Sequence, residues 1–221
     1  MFSIAIDGPA GAGKSYLADK LAERYHLIHV DTGALYRTVG LYVYRKGIAK
    51  EDISSIIASL PEIFITLEFS DKGQQVILNG ENVSGSIRTP EIAAYASAVS
   101  AIPEVRTFLL ETQRQLAREH GVIMDGRDIG TVILPDADVK IFLVADNRAR
   151  AKRRLSEFLA KGIETTLEEV LSDMEQRDKN DSTRKTAPLK PAEDAIHLDN
   201  SELTPDETVA AAIAIIEERR K

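Results

Sequence analysis

The run Gly8-Pro9-Ala10-Gly11-Ala12-Gly13-Lys14-Ser15 has the residue types and spacing to bind a phosphate. It fits G-x-x-x-x-G-K-[ST], in which glycines let successive backbone N–H groups curl around a phosphoryl group. Lys14 then reaches the β- and γ-phosphates, and the Ser15 hydroxyl can ligate Mg²⁺. Two further clusters carry chemistry. Asp31-Thr32-Gly33-Ala34-Leu35-Tyr36-Arg37 and Asp125-Gly126-Arg127-Asp128 combine carboxylates with arginines, and a guanidinium grips phosphate in a planar, bidentate fashion. A third group, Arg148, Arg150, Lys152, Arg153 and Arg154, puts five cations into seven residues. The chemistry these residues suit is nucleoside triphosphate binding with phosphoryl transfer.

Such residues work only if the fold brings them together. Short apolar runs at Ile4–Ile6, Leu27–Val30, Val122–Met124, Val139–Val144 and Ala195–Leu198 read as five core strands. Helical patterns separate them, so the expected architecture is α/β, a five-stranded parallel sheet with helices on both faces. In an open sheet of this kind the ligand sits beyond the carboxyl ends of the strands. Gly8, Thr32 and Arg127 each lie just past such an end and should converge on one cleft.

The helices are signalled locally. Leu17, Ala18, Leu21, Ala22 and Tyr25 recur at helical spacing directly after the glycine loop. Thr166-Leu167-Glu168-Glu169 opens another helix, whose Leu167, Val170, Leu171 and Met174 form a packing stripe. Arg177 continues that stripe and needs an anionic partner there. Thr204-Pro205-Asp206-Glu207 combines a capping box with proline at the first helical position. Between Ile63 and Val83 the rhythm changes: strand, Asp71-Lys72-Gly73, strand, Asn79-Gly80 and a short strand predict a small antiparallel insert. The basic run, with Asn147 as helix cap and Gly162 as a hinge, reads either as a solvated face or as a mobile lid that closes on the phosphates.

Composition narrows the class. The 221 residues, 43% hydrophobic, suffice for one α/β domain with a small insertion. A net charge of −7 argues against a general nucleic-acid binder. No apolar run approaches 18 residues, so no membrane span is expected, and the strand at Ile4 leaves no room for a signal peptide. With no cysteine, these features suggest a cytoplasmic monomer free of disulfides and thiolate chemistry. His26, His29, His120 and His197 show no metal-ligand spacing and are expected to be packed or exposed.

GPAGAGKS, DTGALYR, DGRD followed by IGT, the Asn79-Gly80 insert and the Arg177–Pro188 stretch together resemble the bacterial-type cytidylate kinases, from Ile4 to about Asp199. The resemblance implies a single P-loop kinase domain over 1–221. Its monophosphate-binding region would span about 32–106, including the insert at about 63–83, and its helical lid about 147–163. It implies ATP-dependent phosphorylation of CMP and dCMP, with ATP and Mg²⁺ required and neither nucleic acid nor membrane as partner. Gly8, Pro9, Ala10, Gly11, Ala12, Gly13, Lys14, Ser15 and Tyr16 would bind ATP, with Ser15 on the metal. Thr32, Arg37 and Arg127 would hold the monophosphate or its sugar, Ser97 and Arg106 the cytosine base, and Asp125 and Asp128 would belong to the same substrate site. Arg177, Asp181 and Arg184 would line phosphate and pentose, with Arg153 and Arg154 as lid arginines. Lys14, Arg127, Arg153, Arg154 and Arg184 would carry the catalytic charge.

Two other readings stay open at this stage. A kinase acting on a hydroxyl would need a carboxylate to take the hydroxyl proton, and Asp31 or Asp128 could serve. A GTPase switch would carry Asn-Lys-x-Asp after a strand, whereas Lys179-Asn180-Asp181 has another order and follows a helix.

Overall fold

The computed structural model describes residues 1–70, 73–160 and 162–220. Five strands build a wholly parallel sheet: β1 (Ser3–Asp7), β2 (Ile28–Asp31), β6 (Val122–Gly126), β7 (Val139–Val144) and β8 (Ile196–Asp199). Their spatial order is β2-β6-β1-β7-β8. The five predicted runs are these five strands. Central β1 and β6 are buried on both sides, which is why they read as unbroken apolar runs rather than as alternating ones.

The sheet is covered on both faces. α1 (Lys14–Tyr25) and α8 (Pro205–Arg219) pack Leu17, Leu21, Ala212 and Ile216 against Ile4, Ile6 and Ile141. The opposite face presents Ala5, Val30, Val122 and Met124 to Leu110 and Leu116 of α5 (Pro103–Glu119). The expected capping box forms at Thr204–Glu207 opening α8, and a second one forms at Thr166–Glu169, where α7 (Leu167–Thr183) opens as expected. Among the described residues no helix is long and apolar enough to cross a membrane.

A second core lies beside the sheet. α2 (Thr32–Arg45), α3 (Ile53–Ser59) and α4 (Pro90–Val99) enclose a three-stranded antiparallel sheet of β3 (Ile65–Ser70), β4 (Gly73–Leu78) and β5 (Glu81–Asn82). This is the predicted insert. Asn79 and Gly80 both have positive φ, 49° and 85°, the twisted hairpin turn that an Asn-Gly pair favours. Of the turn expected at Asp71-Lys72-Gly73, Asp71 and Lys72 lie outside the described residues.

α6 (Asn147–Ala160) runs back over the glycine loop and packs Ala151 on Val170 and Met174 of α7. The Met174 stripe is therefore core, as its spacing indicated. One expectation is corrected here. Asp146, not Asn147, caps α6, its Oδ1 accepting from the Arg148 and Ala149 backbone N–H groups at 2.9 and 3.1 Å. Asn147 is already the first helical residue, and its side chain bonds Glu175 and Arg150 instead. Lys161, inside the expected lid, lies outside the described residues.

Candidate active site

The glycine loop sits between the carboxyl end of β1 and the N-terminus of α1. Gly8 has φ 153°, and a Cβ there would lie 2.1 Å from the Leu143 carbonyl oxygen, so no side chain fits while β7 runs alongside. Gly13 caps α1 without a side-chain hydrogen bond. The first-turn N–H groups of α1 are left for an incoming anion. Lys14 is buried, and its ammonium donates to the Pro9 carbonyl at 2.7 Å. Burial, and then the nearby Arg127 charge, pull its pKa down to about 7. A triphosphate in the loop would reverse that shift by supplying the missing negative charge.

The loop is tied down from outside by residues that the sequence suggested only in part. Arg150 is buried and donates to the Ala10 carbonyl at 2.7 Å and to Asp178 at 2.6 Å, while Asp178 also accepts from the Ala10 N–H at 3.0 Å. Asn200, just past β8, donates to the Ala12 carbonyl at 3.0 Å. Arg150 therefore leaves the set of lid cations and becomes a brace of the loop. Arg153 donates to the Asn200 carbonyl at 2.8 Å, whereas Arg154 lies on its own helix, paired with Glu157 and stacked on Phe158. Neither is buried, and the Arg154 charge is felt at Arg177. Tyr16, also assigned to ATP, is exposed on α1.

Ser15 and Asp125 meet at the base of the loop, Oγ donating to Oδ2 at 2.9 Å. Two hard oxygens this close fit Mg²⁺, which takes few protein ligands and keeps its remaining positions for water and phosphate. Burial alone would raise the Asp125 carboxyl, yet hydrogen bonds from His29 and Ser15 and the Lys14 charge hold it below the ordinary carboxylate value. Thr32 Oγ1 donates to the Asp125 carbonyl at 2.8 Å, which ties α2 to β6.

Beyond this point lies an arginine-rich wall. Arg127 donates to Asp181 at 2.8 Å, Arg106 pairs with buried Asp128, and Arg184 lies 3.3 Å from Asp128 and 3.7 Å from Asp181. Arg37 pairs with Asp31 at 2.6 Å. The ion-pair partner of Arg127 is thus Asp181 from α7, not Asp125 or Asp128 on either side of it in sequence. Arg177 stands apart: among the described residues no hydrogen bond or ion pair reaches it. Burial, then the Arg127 charge, lower its guanidinium to about 10. With Arg88, which also reaches Asp31, six arginines face three aspartates, so three positive charges are left over. A phosphate monoester dianion would cancel two of them. Ser97, on half-buried α4, precedes Ser100, whose carbonyl accepts from Arg106 at 3.1 Å.

Several members of the site were not anticipated. Gln74 of the insert makes a paired amide contact with the Asp31 backbone, accepting from its N–H at 2.9 Å and donating to its carbonyl at 3.3 Å. Arg88 reaches Asp31 at 3.4 Å from the segment before α4. Both come from the region around the antiparallel sheet, and only the tertiary fold lays them on β2. His29 is neither simply packed nor exposed. It bridges Asp125 and Asp19, and although burial opposes its charge, those hydrogen bonds raise its pKa to about 10. A histidine two residues before Asp31 in an apolar strand was the available signal. The turn after Asp128 is a π-helical one, Ile129–Ile133, whose leading N–H groups are accepted by Asp7 at 2.7 and 2.8 Å.

Comparison with known proteins agrees with this geometry. The family described as Cytidylate kinase matches residues 4–218. A cytidylate kinase of Caldicellulosiruptor saccharolyticus is 47% identical over 96% of this chain and 94% of its own length. One from Lactobacillus johnsonii is 46% identical over 100% and 96%. Among solved structures, an uncharacterized protein from Eubacterium ventriosum superposes with TM-score 0.56 at 15% identity, covering 98% of this chain and 99% of its own. A gluconokinase from Sinorhizobium meliloti does so with TM-score 0.51 at 13% identity over 98% and 92%. These two likenesses speak to the fold alone. A phosphate loop facing an arginine-lined acceptor wall, on a sequence matched from end to end, places the chain in the cytidylate kinase family.

Proposed function

We propose that the protein transfers the γ-phosphoryl group of ATP to CMP and dCMP, giving ADP with CDP or dCDP. The observation that carries this reading is the excess of positive charge on the wall opposite the phosphate loop, centred on Arg177. The acceptor is itself a phosphate with a second pKa near 6, so at neutral pH its oxygen is already a nucleophile. No general base is needed. An acceptor oxygen bonds to the γ-phosphorus as the bond to the β-bridging oxygen breaks, and ADP leaves with that electron pair.

The chain's residues act by holding and neutralising. Gly8 through Tyr16 wrap the triphosphate, and Lys14 lies along its β- and γ-oxygens. Arg37, Arg127 and Arg177 offset the repulsion between two approaching phosphates. Arg106, Asp128, Asp181 and Arg184 form the buried network against which Thr32, Ser97 and the pentose and base would be read. Arg153 and Arg154 lie beside the donor on α6, where a small rotation of that helix would swing them onto the transferring group and exclude water. Ser15, with Asp125 beside it, would hold Mg²⁺, whose chemistry there would be to neutralise charge developing on the phosphates.

A hydroxyl acceptor fits less well. Its proton would have to go to Asp31 or Asp128, but Arg37 and Arg88 hold the first, and Arg106 and Arg184 hold the second. Carboxylate oxygens already engaged by guanidinium donors are not open to take up a hydroxyl proton. The test is ADP release from Mg-ATP with each of CMP, dCMP, UMP, AMP, GMP, shikimate and gluconate. Stimulation by CMP and dCMP supports the proposal, and stimulation by a hydroxy acid alone overturns the acceptor assignment.

A further inference from the structure

Asp125 divides its two oxygens between different partners. Oδ2 faces the Ser15 hydroxyl at 2.9 Å, while Oδ1 lies 2.8 Å from His29 Nε2. The other ring nitrogen of His29 lies 2.6 Å from Asp19 Oδ1. Ionised carboxylates only accept hydrogen bonds, so both ring nitrogens must donate, and the ring is a cation clamped at each end. The clamp joins three elements. Ser15 and Asp19 sit one turn apart on the same face of α1, His29 comes from β2, and Asp125 is the penultimate residue of β6. Asp19 is largely exposed at 69%, His29 is 13% exposed and Asp125 is buried at 6%, so the bridge runs from the surface to the floor of the loop.

We propose that His29 is a positioning residue for the metal–nucleotide end of the active site. By occupying Oδ1 it turns Oδ2 toward Ser15, so that the hydroxyl and the carboxylate face a metal-bound triphosphate together. This rests on the phosphate-loop kinase reading above. Without the ring, Oδ1 of a buried carboxylate has no donor. The nearby cation whose charge already acts on Asp125 is Lys14. A carboxylate rotated toward Lys14 would withdraw that ammonium from the triphosphate and leave Ser15 without its partner. Asp19 anchors the far side of the ring and fixes its plane.

The experiment compares wild type with His29→Leu, His29→Gln and Asp19→Asn, each checked for folding by circular dichroism. ATP dissociation constants are measured by calorimetry with Mg²⁺ and with chelator, and the ratio of the two is the readout. That ratio isolates the metal-dependent part of binding from any general loss of structure. Partners that orient a metal-binding carboxylate typically matter by about 10- to 100-fold, so His29→Leu should cut the ratio by about tenfold or more. Glutamine can place a donor near Oδ1, and His29→Gln should recover the ratio to within about threefold of wild type. The Mg²⁺ concentration for half-maximal turnover should move in parallel, with the CMP Michaelis constant unchanged. A folded His29→Leu protein with the wild-type ratio overturns the proposal, as does an equal loss of binding with and without metal. Should His29→Leu not fold, Asp19→Asn, which frees the far ring nitrogen, carries the test: the ratio should fall, and an unchanged ratio there overturns the proposal. A wild-type protein indifferent to Mg²⁺ would instead fault the kinase reading.

Discussion

Arg177 offers a prediction in which stability and activity move in opposite directions. It follows Val170 and Met174 on the inward face of α7, yet among the described residues no carboxylate hydrogen-bonds or ion-pairs with it, and the like charges of Arg127, Arg37 and Arg154 outweigh the favourable field of Asp181. The fall of its guanidinium to about 10 reflects what burial and like charge cost its charged form in the free protein. That fall corresponds to about 3 kcal/mol, and water in the cleft screens it to about 2 kcal/mol. Arg177→Met keeps the stem and the helix propensity while deleting the charge. The free variant should gain about 2 kcal/mol, raising Tm by about 4–8 °C for a chain of this size. The acceptor phosphate loses charge-assisted hydrogen bonds worth about 1.5–3 kcal/mol, so kcat/KM for CMP should fall by about 10- to 150-fold. Differential scanning calorimetry with and without CMP, beside steady-state kinetics, reads both effects. A free variant less stable than wild type would mean that Arg177 has a partner after all. An undiminished CMP-induced rise in Tm would remove it from the acceptor site.

Three further outcomes are expected. Lys14→Ala should abolish turnover while leaving the protein folded, because among the described residues the ammonium bonds only the Pro9 carbonyl and its burial is a cost in the free state; near-wild-type turnover would sink the phosphate-loop assignment. Gly8→Ala forces a Cβ onto the Leu143 carbonyl and should push β7 away from the loop, costing more than about 3 kcal/mol and most ATP affinity; a Tm within a degree of wild type would refute this. Asp7 is buried and its carboxyl is raised from 3.8 to about 6, chiefly by that burial. Between those values the folded state binds more protons than the unfolded one, so this group's contribution to stability falls as pH rises through that window. Wild type should accordingly lose stability relative to Asp7→Asn between pH 4 and about 6.5, and parallel thermal profiles over that range would refute the assignment.

Some parts of this molecule are written in short stretches of chain. The five strands of the sheet, the phosphate loop, the Thr204–Glu207 capping box and the Asn79-Gly80 hairpin were legible because each depends on residues within a few positions of one another. A Gly-x-x-x-x-Gly-Lys-Ser run binds phosphate with its own backbone, and a buried parallel strand declares itself by continuous apolar residues. Even the convergence of Gly8, Thr32 and Arg127 followed from a topological rule about strand ends. The resemblance of DTGALYR and DGRD to a kinase family then supplied roles for Ser97, Arg106 and Asp181 that no local pattern carries.

Charge pairing was another matter, because an arginine's role depends on which carboxylate the fold delivers to it. The five cations of α6 are identical in kind along the sequence. Packing against the loop turned Arg150 into a brace, tied Arg153 to Asn200 and left Arg154 on the surface. Arg127 found Asp181, 54 residues away, rather than Asp128 beside it. His29 became a bridge between α1 and β6 because two strands and a helix crossed at one point. Local sequence determined the strands, turns, caps and the triphosphate-binding loop, since their energetics are short-ranged. The tertiary structure alone decided which charges are neutralised and which, like Arg177, have no ion-pair partner among the described residues, since Coulomb energies depend on distance and burial and not on order along the chain.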